Sequence, residues 1–252
     1  MAASRLSDLV ERTDVLSIPI HSVEEAAIPA VVDALLAEAR LNQIVLLRWW
    51  DLMRTRGDRE LRRCVRDSAL SVPVSMSIVL GARFLRKKQP ARHLPFDLVI
   101  RLLGALEDRR RSVYVLGGTP ENLRTVEQNL RETFPGLRFV GRYSGYFNRV
   151  VEQDIVTAIR KAGPDLLVLG NGIVGGNKWV SRHSKELGAC IAIYSPETFD
   201  IFAERRTRTS RVAFKRGLDF LPGLLRRPWR IVRFPVFLWY LLLLLVFKVF
   251  GL

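Results

Sequence analysis

The chain has 252 residues, 48% of them hydrophobic, enough for one α/β domain or two small ones, which excludes disorder over most of its length. Forty Lys and Arg against 25 Asp and Glu give +15, a balance that calls for an anionic partner: nucleic acid, a phosphate-bearing ligand or an acidic membrane. Two cysteines and three histidines without metal-ligand spacing exclude a disulfide framework and predict no metal and no cofactor.

The N-terminal MAASRLSDLVERTDVLSIPI carries acidic residues and no long apolar core, so it is not a secretory signal, and the body of the chain is expected in the cytoplasm. VLSIPIHSVEEAAIPAVVDALLAEARLNQIVLLRWW reads as strand, amphipathic helix, strand: Ile28, Val31, Val32, Leu35 and Leu36 keep helical spacing, and residues 43–47 form a buried-strand run. A helix is expected over residues 59–69. An apolar stretch, residues 74–80, follows between Pro73 and Gly81, and another helix is expected over residues 97–108.

The second half is more regular. SVYVLGGTPENLRTVEQNLRETFPGLRFVG reads as strand, glycine turn, helix and strand, with Thr119 as N-cap and Pro120 at the first helical position. QDIVTAIRKAGPDLLVLG gives a further helix and strand, and WVSRHSKELGACIAIYS another pair. This alternation predicts a Rossmann-like parallel sheet covered by helices, with ligands at the carboxyl ends of the strands.

Residues 205–233 hold ten Lys or Arg and one acid, so +9 of the +15 sits there; the nineteen residues after them are charged only at Lys248. A basic collar before an apolar tail is a membrane signature. As a helix the tail spans roughly 28 Å, close to a hydrocarbon core of about 30 Å. It either crosses the bilayer or lies in one leaflet with Trp239 and Tyr240 near the headgroups; a buried core helix is the third possibility. The chain thus divides into residues 1–204, an α/β domain; 205–233, a basic helical appendage; and 234–252, an apolar membrane-anchoring tail. Charge packed against such a tail, rather than spread over a groove, argues against nucleic acid.

Two glycine turns follow predicted strands, at Gly117-Gly118 and at Gly170-Asn171-Gly172, the latter before Gly175-Gly176. Glycine there lets a backbone approach a phosphate. A full GxGxxG with a later acid is missing, which sets a nicotinamide oxidoreductase aside. In order and spacing, VYVLGGTPENL, FPGLRFVGRYSGYF, PDLLVLGNG with Trp179, and FDIFAERRTRTS with RGLDFLPGLLRRPWRIVRF resemble the WecG/TagA/CpsF glycosyltransferases over residues 31–234.

The resemblance implies a UDP-sugar donor, a hexosamine or related sugar to transfer, and a polyprenyl-diphosphate-linked acceptor at the cytoplasmic face of the bacterial inner membrane, for surface polysaccharide assembly. It implies nucleotide-sugar binding by Gly117, Gly118, Arg142, Gly145, Tyr146, Gly170, Asn171 and Gly172, and contact with acceptor and anionic lipids through Arg226, Arg227, Arg230, Arg233 and Trp239. The family's polar motifs are degenerate here. Its Pro-Lys-Gln-Glu quartet falls on Val174, Gly175, Gly176 and Asn177, although Gly170, Gly172 and Trp179 match. Its Thr-any-Asn falls on Arg48 and Trp50, and the Asp-Gly carrying its proposed base on Val74 and Ser75. Arg92 and Asp97 still match, and Pro95 replaces a glycine.

Sugar transfer to a hydroxyl wants a carboxylate base, which contributes typically ~10²- to 10⁴-fold, and valine offers none. Asp97 and Asp51 are the candidate replacements. Two readings follow: a divergent transferase, or a noncatalytic relative that holds or activates another enzyme of the pathway. His21, His93, His183 and both cysteines are expected to pack or to sit at the surface, and Arg109 to Arg111 to form a solvated turn.

Overall fold

The computed structural model describes residues 6–215, 217 and 234–251. After a short helix, α1 (Leu6–Leu9), an antiparallel hairpin of β1 (Glu11–Val15) and β2 (Ile18–Ser22) turns through Leu16 and Ser17, both at positive φ. Such turns normally carry Asn or Gly, and that is why β1 had no signal in the sequence; burial of the Leu16 side chain holds the turn instead.

The remaining elements in chain order are α2 (Ile28–Leu36), β3 (Asn42–Leu47), α3 (Trp49–Arg54), α4 (Arg59–Asp67), β4 (Leu70–Pro73), α5 (Met76–Phe84), α6 (Pro95–Glu107), β5 (Ser112–Leu116), α7 (Pro120–Thr133), β6 (Arg138–Tyr143), α8 (Glu152–Ala162), β7 (Leu166–Leu169), α9 (Asn177–Arg182), β8 (Ile191–Tyr194), α10 (Pro196–Phe202), α11 (Arg211–Lys215) and α12 (Phe234–Phe250). The expected start of α7 is present, with Thr119 Oγ1 accepting from Asn122 N and Pro120 at the first helical position. The apolar stretch of residues 74–80 straddles a junction: β4 ends at Pro73, and Gly81 lies inside α5.

Strands β3 to β8 form one parallel sheet in the order β4-β3-β8-β7-β5-β6. Apart from the edge strand β6, which is partly exposed, the strands are buried along their length because helices cover both faces. Val113, Val115, Leu166, Val168, Ile191 and Ile193 point into a core shared with α2, α6, α7 and α10. Tyr114, Leu116, Leu167, Leu169 and Ala192 point the other way, toward α8 and α9. A third cluster joins the hairpin, α3, α4 and α5 to α12.

The tail corrects one expectation. Among the described residues no helix is long and apolar enough to cross a membrane. Instead α12 lies along α5, with Tyr240 and Leu244 buried, Tyr240 Oη donating to Ser77 O at 2.7 Å, and Phe237 packed edge-on against Trp49. Its other side, including Leu238, Trp239, Leu241, Leu242, Leu245 and Val249, is exposed. Most of the basic appendage, with Arg226, Arg227, Arg230 and Arg233, lies outside the described residues.

Candidate functional site at the carboxyl ends of the strands

From β5 the chain goes outward to β6, and from β7 it goes the other way, to β8. The reversal between neighbours β5 and β7 makes the switch point at which ligands of open parallel sheets bind. Both glycine turns flank it. Their glycines are required by one another: a Cβ on Gly117 would stand 2.6 Å from the Gly170 backbone, and one on Gly145 would run into the Asn171 carbonyl and Gly117 Cα. At Gly170 it would enter the ring of Phe199, which α10 lays over the crevice.

Their amides are also engaged. Gly117 N donates to Tyr143 O at 3.0 Å, Gly118 N to Asn171 O at 2.8 Å, Gly145 N to Gly118 O at 3.0 Å and Gly170 N to Leu116 O at 2.8 Å. These bonds lock three strand-end loops together, so these four amides build a rigid floor rather than a cradle of free donors.

Around that floor stand side chains from distant segments. Asn171 Nδ2 donates to Asp200 Oδ1 at 2.6 Å. Burial pushes the Asp200 carboxyl above its usual range, against the pull of Arg205, Arg206 and the Asn171 bond. Tyr194, at the end of β8, fills the space beside Gly176, where a Cβ would stand 2.7 Å from its ring. Burial raises its phenol, and Arg48, Asp51, Tyr146 and Asp200 all lie close enough to act on it. One turn before Asp200, Glu197 is held by Arg48 and Arg206, each at 3.3 Å, and accepts from Thr209 Oγ1 at 3.4 Å. Asp200 and Arg206 fall inside the FDIFAERRTRTS motif, which gives neither a role of its own, and Tyr194 and Glu197 carry no local signal; Asp200 acquires meaning through Asn171, 29 residues away, and Glu197 through Arg48, 149 residues away.

The residues expected from sequence separate accordingly. Gly117, Gly118, Gly145, Tyr146, Gly170, Asn171 and Gly172 meet at the strand ends, and Asp51, in the first turn of α3, adjoins them. Arg142 is turned onto α7, where it pairs with Glu127. Asp97, in the first turn of α6, pairs with Arg211 at 3.1 Å, while the neighbouring Arg92 guanidinium lies 3.6 Å from the Phe214 ring centroid. Segment 206–214 is thereby pinned from Glu197 across Phe96 to Asp97 and Arg92.

Val74, at the position the resemblance gives to the base, is 5% exposed with its N bonded to Leu47 O. Ser75 Oγ accepts from Trp49 N at 2.9 Å, fixing the end of β3 to the start of α5. Cys64 packs against Gln43 and the Asn177 carbonyl. His21 and His93 bond Ser71 and the Val23 carbonyl, and His183 lies between Glu152 and Glu186. Arg109 and Arg111 are not merely solvated: they tie their turn to Asp33 and Asp165.

The model of the "Glycosyl transferase WecG/TagA/CpsF family" matches residues 13–251. Similar curated proteins include an "N-acetylglucosaminyldiphosphoundecaprenol N-acetyl-beta-D-mannosaminyltransferase" of Bacillus subtilis (strain 168), 21% identical over 69% of this chain and 67% of its own length. One of the same description from Staphylococcus aureus (strain NCTC 8325 / PS 47) is 22% identical over 61% of this chain and 62% of its own. The chain therefore spans about two thirds of the length of the curated relatives it matches. With a match over nearly its whole length and the glycine turns in place at the switch point, the chain belongs to the glycosyl transferase WecG/TagA/CpsF family.

Proposed function

We propose that the chain transfers a hexosamine from a UDP-sugar to a polyprenyl-diphosphate-linked acceptor, in surface polysaccharide assembly at the cytoplasmic face of the bacterial inner membrane. The observation that carries this reading is the Asp200–Asn171 pair: a carboxyl lifted by burial, bonded to the glycine turn at the switch point. A carboxylate whose pKa is raised takes a proton more strongly than an ordinary aspartate.

In this mechanism Asp200 accepts the proton of the acceptor hydroxyl as its oxygen bonds the sugar's anomeric carbon. The bond from that carbon to the diphosphate breaks, and UDP leaves with the electron pair. Arg48 and Arg206 supply positive charge for it, which the engaged glycine amides do not. Gly117, Gly118, Gly145, Gly170 and Gly172 then contribute shape, and Tyr146 an exposed ring. The names of the relatives support the acceptor class. The exposed side of α12 with Trp239, and the basic residues Arg226, Arg227, Arg230 and Arg233, bring the protein to anionic lipid and to its acceptor.

A second reading, a noncatalytic relative that holds another enzyme of the pathway, is favoured by the buried Val74 and by the missing polar quartet at residues 174–177. One assay separates them: UDP release by the purified full chain, given UDP-N-acetylhexosamines and a polyprenyl-diphosphate-GlcNAc acceptor. Turnover lost in Asp200→Asn supports the transferase; no turnover and no calorimetric UDP binding leaves the adaptor.

A further inference from the structure

At the end of α5 farthest from the strand ends, Leu85, Arg86 and Lys87 meet Phe247, Lys248 and Gly251 around a pocket of about 340 Å³. Three of these six residues are cations, and none is an acid. Lys87 Nζ bonds the Asp14 carbonyl at 3.0 Å, and Lys248 Nζ lies 4.0 Å from the centroid of the Phe84 ring, so both charges are held at the rim.

Arg86 is the unusual member. It has φ +57°, with Lys87 N bonded back to Ala82 O at 2.9 Å, which is the left-handed helix-ending position that glycine normally fills. An arginine there strains the backbone and brings a guanidinium to the pocket. The carbonyl end of α5 by itself favours nearby cations. That leaves Lys248, which comes from another helix, unexplained.

The pocket opens beside the exposed apolar side of α12, which Leu80 and Phe84 of α5 extend. Leucine and valine dominate this surface, which gives a protein partner few groups to hydrogen-bond, whereas lipid requires none. Two copies packed face to face would bring like-charged rims together.

We propose that α5 and α12 lie together in the headgroup layer of an anionic membrane, and that the pocket seats a lipid phosphate between Arg86, Lys87 and Lys248. This rests on the membrane-docking part of the function proposed above and adds a defined phosphate site, separate from the strand-end cluster.

Flotation of the full chain with phosphatidylcholine vesicles, with or without phosphatidylglycerol, tests it. The wild type is expected to prefer phosphatidylglycerol. Arg86→Gly removes the charge while easing the backbone, so it should melt no lower than wild type yet lose about fivefold of that preference, as should Lys248→Gln. Leu241→Asp with Leu245→Asp should abolish binding to both vesicles, and inorganic phosphate should not displace the protein.

An unchanged phosphatidylglycerol preference in Arg86→Gly and Lys248→Gln overturns the phosphate seat while leaving membrane docking in place, and displacement by inorganic phosphate assigns the seat to a soluble anion. Wild-type protein that floats with neither vesicle overturns docking as well. So does a dimer in sedimentation that Leu241→Asp dissolves, because a second copy then covers the face.

Discussion

Replacing Gly81 with alanine sets two forces on α5 against each other. In an isolated helix the change stabilises by about 1 kcal/mol. In the folded chain the new Cβ falls well inside contact distance of Tyr240 Oη and 3.4 Å from Leu244 Cδ2. Tyr240 is 1% exposed and its hydroxyl is the tip of a rigid ring, so the whole ring must move and its bond to Ser77 O is lost. Overpacking costs about 1–3 kcal/mol and the hydrogen bond about 1 kcal/mol, so the net destabilisation is about 1–3 kcal/mol. Tyr240→Phe alone loses about 1 kcal/mol. In the double variant the nearest ring atom to the new Cβ is Tyr240 Cζ at 3.4 Å, an ordinary contact, so stability should return close to wild type. Urea melts of the four proteins in one mild detergent measure this coupling, and amide exchange over residues 234–250 reports whether α12 stays docked. If Gly81→Ala stabilises the protein, or if the two changes simply add, α12 does not pack on α5 as described.

Three other outcomes follow from the site and the core. Asp200→Asn should cut UDP release by ~10²-fold or more. Because the folded-state pKa of Asp200 lies above its unfolded value, its contribution to stability is present in acid and lost as the pH rises through the folded value. The melting temperature of Asp200→Asn relative to wild type should therefore be higher at neutral pH than in acid; a uniform loss would make Asp200 a packing residue. Gly145→Ala puts a methyl group against the Asn171 carbonyl and Gly117 Cα, both backbone, and should destabilise by about 3 kcal/mol, read from its urea midpoint. Burial pushes the thiols of Cys64 and Cys190 up to about 11 and about 12, so at pH 8 neither should react with a disulfide reagent until guanidinium unfolds the chain.

Local signals in the sequence carried the alternating strands and helices. Thr119 and Pro120 mark the start of α7 within four residues, and the apolar runs of β5 and β7 follow directly from burial on both faces. What failed was non-local. The Leu16-Ser17 turn is held by burial rather than by turn chemistry, so the sequence carries no local signal for β1. Glycines 117, 145 and 170 mark turns, but only the fold reveals why each is small: another loop occupies the Cβ space of Gly117 and Gly145, and the Phe199 ring that of Gly170. Arg48 and Glu197 lie 149 residues apart in the chain, and no spacing rule connects them. The tail is apolar on every side because the side that packs on α5 uses the same residue types as the side that does not.

Trp49 joins two parts of the molecule that the sequence presents as separate. Its amide is fixed by Ser75 at the strand ends, and the residue before it, Arg48, pairs with Glu197. Its ring meets Phe237 at 5.2 Å and Tyr240 at 6.4 Å on α12. One step along the chain thus passes from the candidate site to the helix that carries the exposed apolar face. Truncating residues 234–252 therefore removes more than an exposed apolar surface, because it also uncovers Trp49 at the junction of β3 with α3. Loss of function on such a truncation fits membrane docking and site support equally. Substitutions confined to the outer side of α12, such as Leu241→Asp, leave Phe237 and Tyr240 against Trp49 and separate the two roles.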